Sequence, residues 1–259
     1  MSNETLIGRG RIAEVFAWGD DQVLKLFYEG QALDWIKEEA RISRLVYETG
    51  VATPAVGDVI EVEGRHGIIY GRVHGTSMLT ELSSSPWKVF QSAKMLAKLH
   101  ASMHEKKVTS LPSQRQNLQH SIQSASALTE QKKSTILKVL DSLPDDHRLC
   151  HGDFHPDNIV VSAHGAMVID WTTASQGSPL ADAARTSLIL QMGELPPGAP
   201  LLIQWITCPL KSKRELIERG IKILKGPVPD GITSLITSLF LNRERQKPSC
   251  YSIPDKNSN

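Results

Sequence analysis

The residues best suited to chemistry lie in one loop and at one position beyond it. Residues 151–158 read HGDFHPDN, so Asp153 and Asn158 are five apart, and Asp170 follows Asn158 by twelve. A carboxylate can orient a hydroxyl and take its proton, while carboxylate and amide oxygens are the hard ligands that Mg²⁺ prefers. We expect Asp153 to act as a catalytic base, and Asn158 and Asp170 to hold Mg²⁺, in phosphoryl transfer to a hydroxyl.

A glycine-rich stretch near the N-terminus has the composition of a phosphate-binding loop. Residues 8–15 read GRGRIAEV, and protein kinases place a similar loop over the phosphates of ATP. Gly8, Gly10 and Val15 fit that pattern, whereas Ala13 stands where a third glycine is expected. The glycines also suit an ordinary hairpin turn. A dinucleotide-binding motif fits less well, because the glycines lie between strands rather than at the start of a helix.

Lys25 follows Val15 by ten residues in the apolar strand pattern VLKLF. In kinases a lysine at this place contacts the phosphates and pairs with a glutamate on the next helix. Glu38 and Glu39 are both candidates, and we favour Glu39 because it precedes Ala40 at the start of a helical run. The competing interpretation is that these are solvent-exposed surface charges.

The loop also contains the ligand types of a zinc site in Cys150, His151, Asp153 and His155. Their alternate spacing is unlike that of zinc motifs, and no second ligand pair follows, so this alternative is disfavoured. We expect His151 to hold the loop by packing and hydrogen bonding. His155 is a candidate either for contacting a phosphate or for supporting the loop.

The whole chain is an ordinary globular sequence of 259 residues with 40% hydrophobic and 22% charged residues. Its net charge of +1 predicts neither a nucleic-acid nor a membrane partner. Three scattered cysteines do not form a disulfide framework. The start of the chain lacks a signal-peptide pattern, and no segment approaches the roughly 20 apolar residues of a membrane helix. A cytoplasmic location is expected.

Periodicity divides the chain into a strand-rich part and a helical part. Strands around turns are predicted over 5–28, a helix from Leu33 to a stop at Gly50, and a hairpin around Gly64. The helices that we predict after Gly71 lie near 87–100, 114–127 and 129–141 and from Pro179 onward, with a hairpin around 163–165. We predict an α+β fold with a nucleotide-binding lobe over 1–72 and a helical lobe, carrying the catalytic loop and the acceptor site, over 73–259.

The sequence HGDFHPDNI over 151–159, followed by VIDW over 168–171, resembles the signature of the aminoglycoside phosphotransferase and choline kinase-like family. The resemblance implies a protein-kinase-like two-lobe fold, ATP or GTP and Mg²⁺ as cofactors, and a small-molecule hydroxyl as acceptor. It also implies that the hinge from Tyr70 to Val73 contacts adenine through its backbone. In the segment SPLADAAR, Asp182 corresponds to a carboxylate that steadies the catalytic loop.

Two features depart from related proteins. Gly152 stands where protein kinases carry an arginine, and no long loop ending in Ala-Pro-Glu follows Asp170, so activation by loop phosphorylation is not expected. From Trp171 onward there are about seven acidic and eleven basic side chains, a balance that disfavours a polycationic acceptor. Trp171 and Trp205 suit either an aromatic wall for a quaternary ammonium or, more commonly, the core.

Several functional alternatives stay open at this point. A choline, amino-alcohol or sugar kinase would use the same catalytic residues as an antibiotic kinase. A nucleotide-binding pseudokinase that acts as a scaffold is disfavoured because Asp153, Asn158 and Asp170 are all present. A protein kinase is disfavoured by the missing activation segment. The sequence contains no motif that specifies the acceptor or the oligomeric state.

Overall fold

The computed structural model describes residues 5–192. The upper lobe is built on one antiparallel sheet whose strands lie in the order β1-β2-β3-β5-β4. Its strands are β1 (Leu6–Arg9), β2 (Ala13–Trp18), β3 (Gln22–Phe27), β4 (Val56–Val62) and β5 (Arg65–Gly71). Tight turns at Gly19 and Gly64, both with positive φ, join β2 to β3 and β4 to β5.

The helix α1 (Leu33–Glu48) connects β3 to β4 and contributes to two cores. Ile36 and Ala40, near its start, pack in the upper core under the sheet. Ile42 and Val46, further along, belong to the lower core instead. One amphipathic helix therefore joins the hydrophobic interiors of both lobes.

The lower lobe consists of helices and short strands. Its helices are α2 (Met78–Ser84), α3 (Val89–His104), α4 (Gln114–Gln123), α5 (Glu130–Ser142) and α6 (Pro179–Met192). Its strands are β6 (Gly75–Ser77), β7 (Arg148–Cys150), β8 (Ile159–Ser162), β9 (Gly165–Val168) and β10 (Ser175–Gly177). The sheet β6-β8-β9 and the pair β7-β10 flank residues 151–158, which form the predicted catalytic loop.

The lower core lies directly beneath that loop. Met103 from α3, Leu149 from β7, Phe154 from the loop and Val168 from β9 are all buried in it. The helices α4 and α5 pack on each other around a separate small core that includes Ile122. The catalytic loop is thus anchored from below by apolar side chains.

The predicted two-lobe α+β fold is confirmed. The helix α1, the hairpins β4-β5 and β8-β9, and the helices α3 and α5 lie close to where periodicity placed them. The helix predicted over 114–127 ends earlier, at Gln123. The boundary at residue 72 stays a prediction. Between residues 5 and 192, no helix has both the length and the apolar character of a membrane span.

Candidate active site

The catalytic loop depends on a glycine in a conformation that other residues avoid. Gly152 has a φ of +77°, a region that glycine enters without steric cost. A Cβ at this position would lie 2.8 Å from the main-chain oxygen of Thr173. Pro156 begins the 3-10 turn that ends at Asn158, and its fixed φ suits a first helical position.

His151 is fully buried and is bonded through both ring nitrogens. Nδ1 accepts from the Asp153 main-chain N–H at 3.2 Å, so Nε2 carries the proton and donates to the main-chain oxygen of Ile169 at 3.1 Å. Burial lowers the pKa of His151, and the ring is neutral. The zinc alternative fails because this imidazole has no free lone pair, and Cys150 donates its thiol to the oxygen of Arg148.

Asp153, His155 and Asn158 form a polar cluster in the loop. The Oδ2 of Asp153 lies 3.7 Å from the Nε2 of His155, and both side chains are about one quarter exposed, at 28% and 25%. The side-chain nitrogen of Asn158 donates to the main-chain oxygen of Asp153 at 2.9 Å and to the Nε2 of His155 at 3.2 Å. Because both amide hydrogens are used, the carbonyl oxygen of Asn158 is the atom that can meet a cation.

The hairpin β8-β9 brings Asp170 beside Asn158. Ile159 and Val168 pair in register at the base of the hairpin. The N–H of Ile169 donates to the main-chain oxygen of Asn158 at 2.9 Å. The two residues predicted to bind Mg²⁺ therefore lie at the same end of a hydrogen-bonded pair of strands, Asn158 just before β8 and Asp170 just after β9.

Asp170 adopts a φ of +61°, a left-handed conformation that is uncommon outside glycine and concentrates at functional sites. Its Oδ1 accepts from the Nζ of Lys25 at 3.2 Å and from the Oγ1 of Thr172 at 2.8 Å. Partial burial would raise the pKa of Asp170, but Lys25 and Thr172 outweigh this effect and hold the pKa below its usual value. The carboxylate is ionised, and its second oxygen is the one available for a metal.

Lys25 lies between two carboxylates. Its Nζ is 2.7 Å from the Oε1 of Glu39 and 3.2 Å from the Oδ1 of Asp170. Burial lowers the pKa of Lys25, but both carboxylates raise it, and the balance leaves the pKa above 10.5. Glu39 is only 2% exposed, whereas Glu38 forms a surface ion pair with Arg41. The structure therefore places Glu39, and not Glu38, against Lys25.

The glycine-rich stretch forms the turn between β1 and β2. Gly8 lies opposite Val15 in the ladder, and Val15 lies opposite Lys25 on the other side. The N–H of Gly10 donates to the oxygen of Ala13 at 2.8 Å, which closes the turn. Ala13 is 3% exposed and packs in the upper core, so a side chain at this position contributes to stability where a glycine would not.

The hinge region is hydrogen-bonded through the Tyr70 side chain and through two main-chain N–H groups. The hydroxyl of Tyr70 lies 3.4 Å from both the Oε1 of Glu39 and the Oγ of Ser43. Burial, with the Glu39 charge, raises the pKa of Tyr70, so its hydroxyl stays protonated. The N–H groups of Gly71 and Arg72 donate to main-chain oxygens that precede β4 and β3.

Asp182 on α6 holds the catalytic loop from below. Its carboxylate accepts the N–H groups of His151 at 3.0 Å and Gly152 at 2.8 Å, together with the Nε2 of His100 at 3.1 Å and of His104 at 3.0 Å. Burial would raise the pKa of Asp182, but the imidazole and main-chain donors hold it well below its usual range.

Within residues 5–192, His100, His104 and Asp182 are the one group of three or more His, Cys, Asp or Glu side chains close enough to share an ion. The four N–H groups on Asp182 account for the cluster without one. Sequence reasoning did not assign His104 a role. The available signal was its spacing of four residues from His100 on an amphipathic helix, which places both rings on one face.

Trp171 is a core residue. Its side chain is 3% exposed, and its Nε1 donates to the Oγ1 of Thr53 at 2.9 Å. The alternative of an aromatic wall for a quaternary ammonium is therefore wrong for Trp171. Trp205 lies outside the described residues.

The profile of the phosphotransferase enzyme family matches residues 4–206. The chain belongs to this family. It is therefore an enzyme that transfers phosphoryl groups, and the resemblance noted in the catalytic loop is confirmed. No curated protein matches the chain.

Solved structures show the same fold at low sequence identity. The aminoglycoside phosphotransferase APH(4)-Ia, as a thermostable mutant with AMP-PNP and hygromycin B, is 16% identical with a TM-score of 0.61, covering 92% of this chain and 83% of that one. APH(3'')-Id from Streptomyces rimosus is 15% identical with a TM-score of 0.56, covering 92% and 91%. A choline/ethanolamine kinase family protein from Mesorhizobium loti is 15% identical with a TM-score of 0.54, covering 95% and 89%.

Proposed function

We propose that this phosphotransferase moves the γ-phosphoryl group of ATP or GTP, with Mg²⁺, to a hydroxyl of a small molecule. One observation carries the proposal: an unbroken set of contacts joins Lys25 to Asp170, the segment of Asp170 to Asn158, and Asn158 to Asp153. The phosphate-binding, metal-binding and proton-accepting groups thus form one site. A pseudokinase would be expected to lack at least one of them.

Lys25 and the β1-β2 turn are the candidates for holding the nucleotide. Val15 and Lys25 face each other across the ladder beside Gly8 and Gly10, so small residues and a positive charge lie on one surface. At the hinge, the N–H groups of the residues between Tyr70 and Val73 are already bonded. We therefore assign the adenine contact to the main chain of Val73. The relative APH(4)-Ia was solved with the ATP analogue AMP-PNP.

Asn158 and Asp170 fit a magnesium site by the atoms that they leave available. The amide nitrogen of Asn158 is fully bonded, which leaves its carbonyl oxygen, and the Oδ1 of Asp170 is bonded, which leaves Oδ2. Two hard oxygens are what Mg²⁺ takes from protein when phosphates and waters complete its coordination. Bound Mg²⁺ would neutralise charge on the phosphates.

Asp153 is positioned to orient and deprotonate the acceptor. Its backbone is held by His151, and its side chain is partly exposed beside His155. Positioning and charge neutralisation supply most of the catalysis in reactions of this class. The positive balance of charge after Trp171 supports a neutral or anionic acceptor over a polycation.

The test is a screen of ATP consumption with Mg²⁺ over hydroxylated compounds, including hygromycin B, streptomycin, choline, ethanolamine, sugars and hydroxyamino acids. We expect one class to stimulate ADP release in the wild type. In Asp153→Ala, kcat should fall by about 100-fold or more, since a general base contributes roughly 10²–10⁴. Binding of AMP-PNP should be retained, because Asp153 does not hold the nucleotide. Equal turnover by both proteins would refute the assignment.

A further inference from the structure

Arg185 on α6 contacts the main chain of the catalytic loop. It follows Asp182 by three residues, so both side chains leave the same face of the helix. The Nε of Arg185 donates to the main-chain oxygen of Gly152. Asp182 accepts the N–H of the same residue. Both polar groups of the Gly152 main chain are therefore bonded to α6.

These bonds fix the peptide that joins Gly152 to Asp153. Its carbonyl accepts from Arg185, and its N–H donates to the Nδ1 of His151 at 3.2 Å. Because a peptide group is planar, bonds at its carbonyl and its N–H together determine its orientation. That orientation sets the direction in which the side chain of Asp153 leaves the backbone.

The backbone of Gly152 does not by itself favour this conformation. Glycine populates a wide range of φ and ψ, so its φ of +77° has to be selected by neighbours. Protein kinases carry an arginine at this position. Here the position is a glycine, and a guanidinium reaches it from a different element.

We propose that Arg185 is a positioning residue for catalysis, which orients Asp153 through the carbonyl of Gly152. This inference rests on the proposed function. Arg185 lies on a different element from the residues proposed to hold the nucleotide and the metal, because Lys25 lies on β3 and Asp170 follows β9. Loss of Arg185 should therefore impair the chemical step and spare nucleotide affinity.

The test compares three variants. Arg185→Gln removes the charge and the planar donor fork, whereas Arg185→Lys keeps a positively charged donor. Arg148→Gln is the matched control, because the guanidinium of Arg148 also donates to a main-chain carbonyl of the lower lobe, that of Glu105 at 3.0 Å. ADP release from ATP and Mg²⁺ would be measured in two conditions. In the first, water is the only acceptor, and in the second, the best acceptor of the screen is present. The affinity for AMP-PNP would be measured by calorimetry.

We expect kcat to fall by about 10- to 100-fold in Arg185→Gln, as small misplacements of a catalytic group do, while the Kd of AMP-PNP changes by less than about twofold. Arg185→Lys should recover part of kcat, and Arg148→Gln should match the wild type in both quantities. If Arg185→Gln folds and keeps the wild-type kcat, or loses AMP-PNP affinity in step with kcat, the proposal is overturned.

Should Arg185→Gln fail to fold, Arg185→Lys decides. A reduced kcat with unchanged AMP-PNP affinity supports a positioning role, whereas a wild-type kcat or weakened AMP-PNP binding contradicts it. A wild type that releases no ADP under any condition would refute the proposed function itself. If the wild type turns over and Arg185→Gln is equally active, only the positioning role of Arg185 is refuted.

Discussion

At the scale of the residue, hydrogen bonding determines which atom each side chain presents. Asn158 presents its carbonyl oxygen because the main-chain oxygen of Asp153 and the ring of His155 use its amide hydrogens. His151 presents no atom at all, since both ring nitrogens are bonded. The sequence predicted these residue types and their spacing, but it could not specify the amide orientation or the tautomer. Those depend on partners that only the folded chain brings together, such as Ile169.

The buried His151 leads to a prediction about pH and stability. Burial lowers its pKa in the folded protein from 6.5, while the unfolded chain keeps the ordinary value. As the pH falls through 6.5, the unfolded state binds a proton that the folded state does not, so the wild type becomes less stable toward acid. We expect His151→Gln to reduce this pH dependence of the free energy of unfolding.

Urea denaturation at a series of pH values between about 7.5 and 5.5 would measure the effect. The two proteins share every other histidine, so those contributions cancel in the comparison. His164→Gln, in the exposed turn between β8 and β9, is the control and should follow the wild type. Parallel curves for the wild type and His151→Gln would contradict the neutral, buried imidazole.

At the scale of the element, sequence patterns predicted the helices and hairpins that residues close together in the chain specify. The amphipathic period of α1 and the turn residues of the hairpins β4-β5 and β8-β9 are encoded within short segments. The strands β6, β7 and β10 were missed, because each has three residues and pairs only with a distant segment. Alternation over three residues is too short to recognise. The sequence predicted the role of Asp182 on α6. It did not predict the contact of Arg185 on the same helix, because that contact depends on where the folded loop lies.

The loop between β7 and β8 gives a prediction that separates strain from steric clash. Gly152 and Gly64 both have a φ of +77°, so alanine should cost each about 1–2 kcal/mol of backbone strain. At Gly64 nothing lies within 4 Å of the added Cβ, whereas at Gly152 the oxygen of Thr173 lies 2.8 Å away. Gly152→Ala should therefore lose a further amount of about 1–3 kcal/mol from overpacking, and it should also lower kcat.

Chemical denaturation of Gly152→Ala and Gly64→Ala would provide the two free-energy differences, and ADP release would provide the two kcat values. The turn of Gly64 is remote from the loop in the chain and should leave kcat near that of the wild type. Equal losses of stability at the two glycines would show that the loop relaxes around the new methyl group.

At the scale of the whole molecule, the lobes are joined by more than the hinge. The segment before β4 contacts the lower lobe twice, through the oxygen of Ala52 with the N–H of Val168 and through Thr53 with Trp171. Lys25 and Asp170 form a third link across the site. The helix α1 also packs in both cores, so the two lobes share one helix, and the division at residue 72 stays a prediction.

A nucleotide that bridges the lobes should stabilise the whole fold. At about 100 times its Kd a ligand adds about 2.7 kcal/mol, which for a chain of this size corresponds to a rise in Tm of about 5–10 °C. We expect this rise for AMP-PNP with Mg²⁺ in the wild type and in Asp153→Ala. Asp170→Asn should show little of it, because the substitution removes the charge that faces Lys25 and the metal.

Differential scanning fluorimetry would record these shifts, with EDTA in place of Mg²⁺ as the control for the metal. Asp170 is 43% exposed, so its amide variant should fold in the absence of ligand. An undiminished shift in Asp170→Asn would remove that residue from the metal site.

The pairing of β6 with β8 has a consequence for the time course of folding. The strand after the hinge meets the strand after Asn158 across about 85 residues of intervening chain, and the two backbones lie so close at Gly75 that a Cβ would overlap the oxygen of Val161. Closing so long a loop is slow relative to forming helices or hairpins. We therefore expect the pairing that fixes the strand after Asn158 against the segment after the hinge to form later than the helices and local hairpins of the same chain.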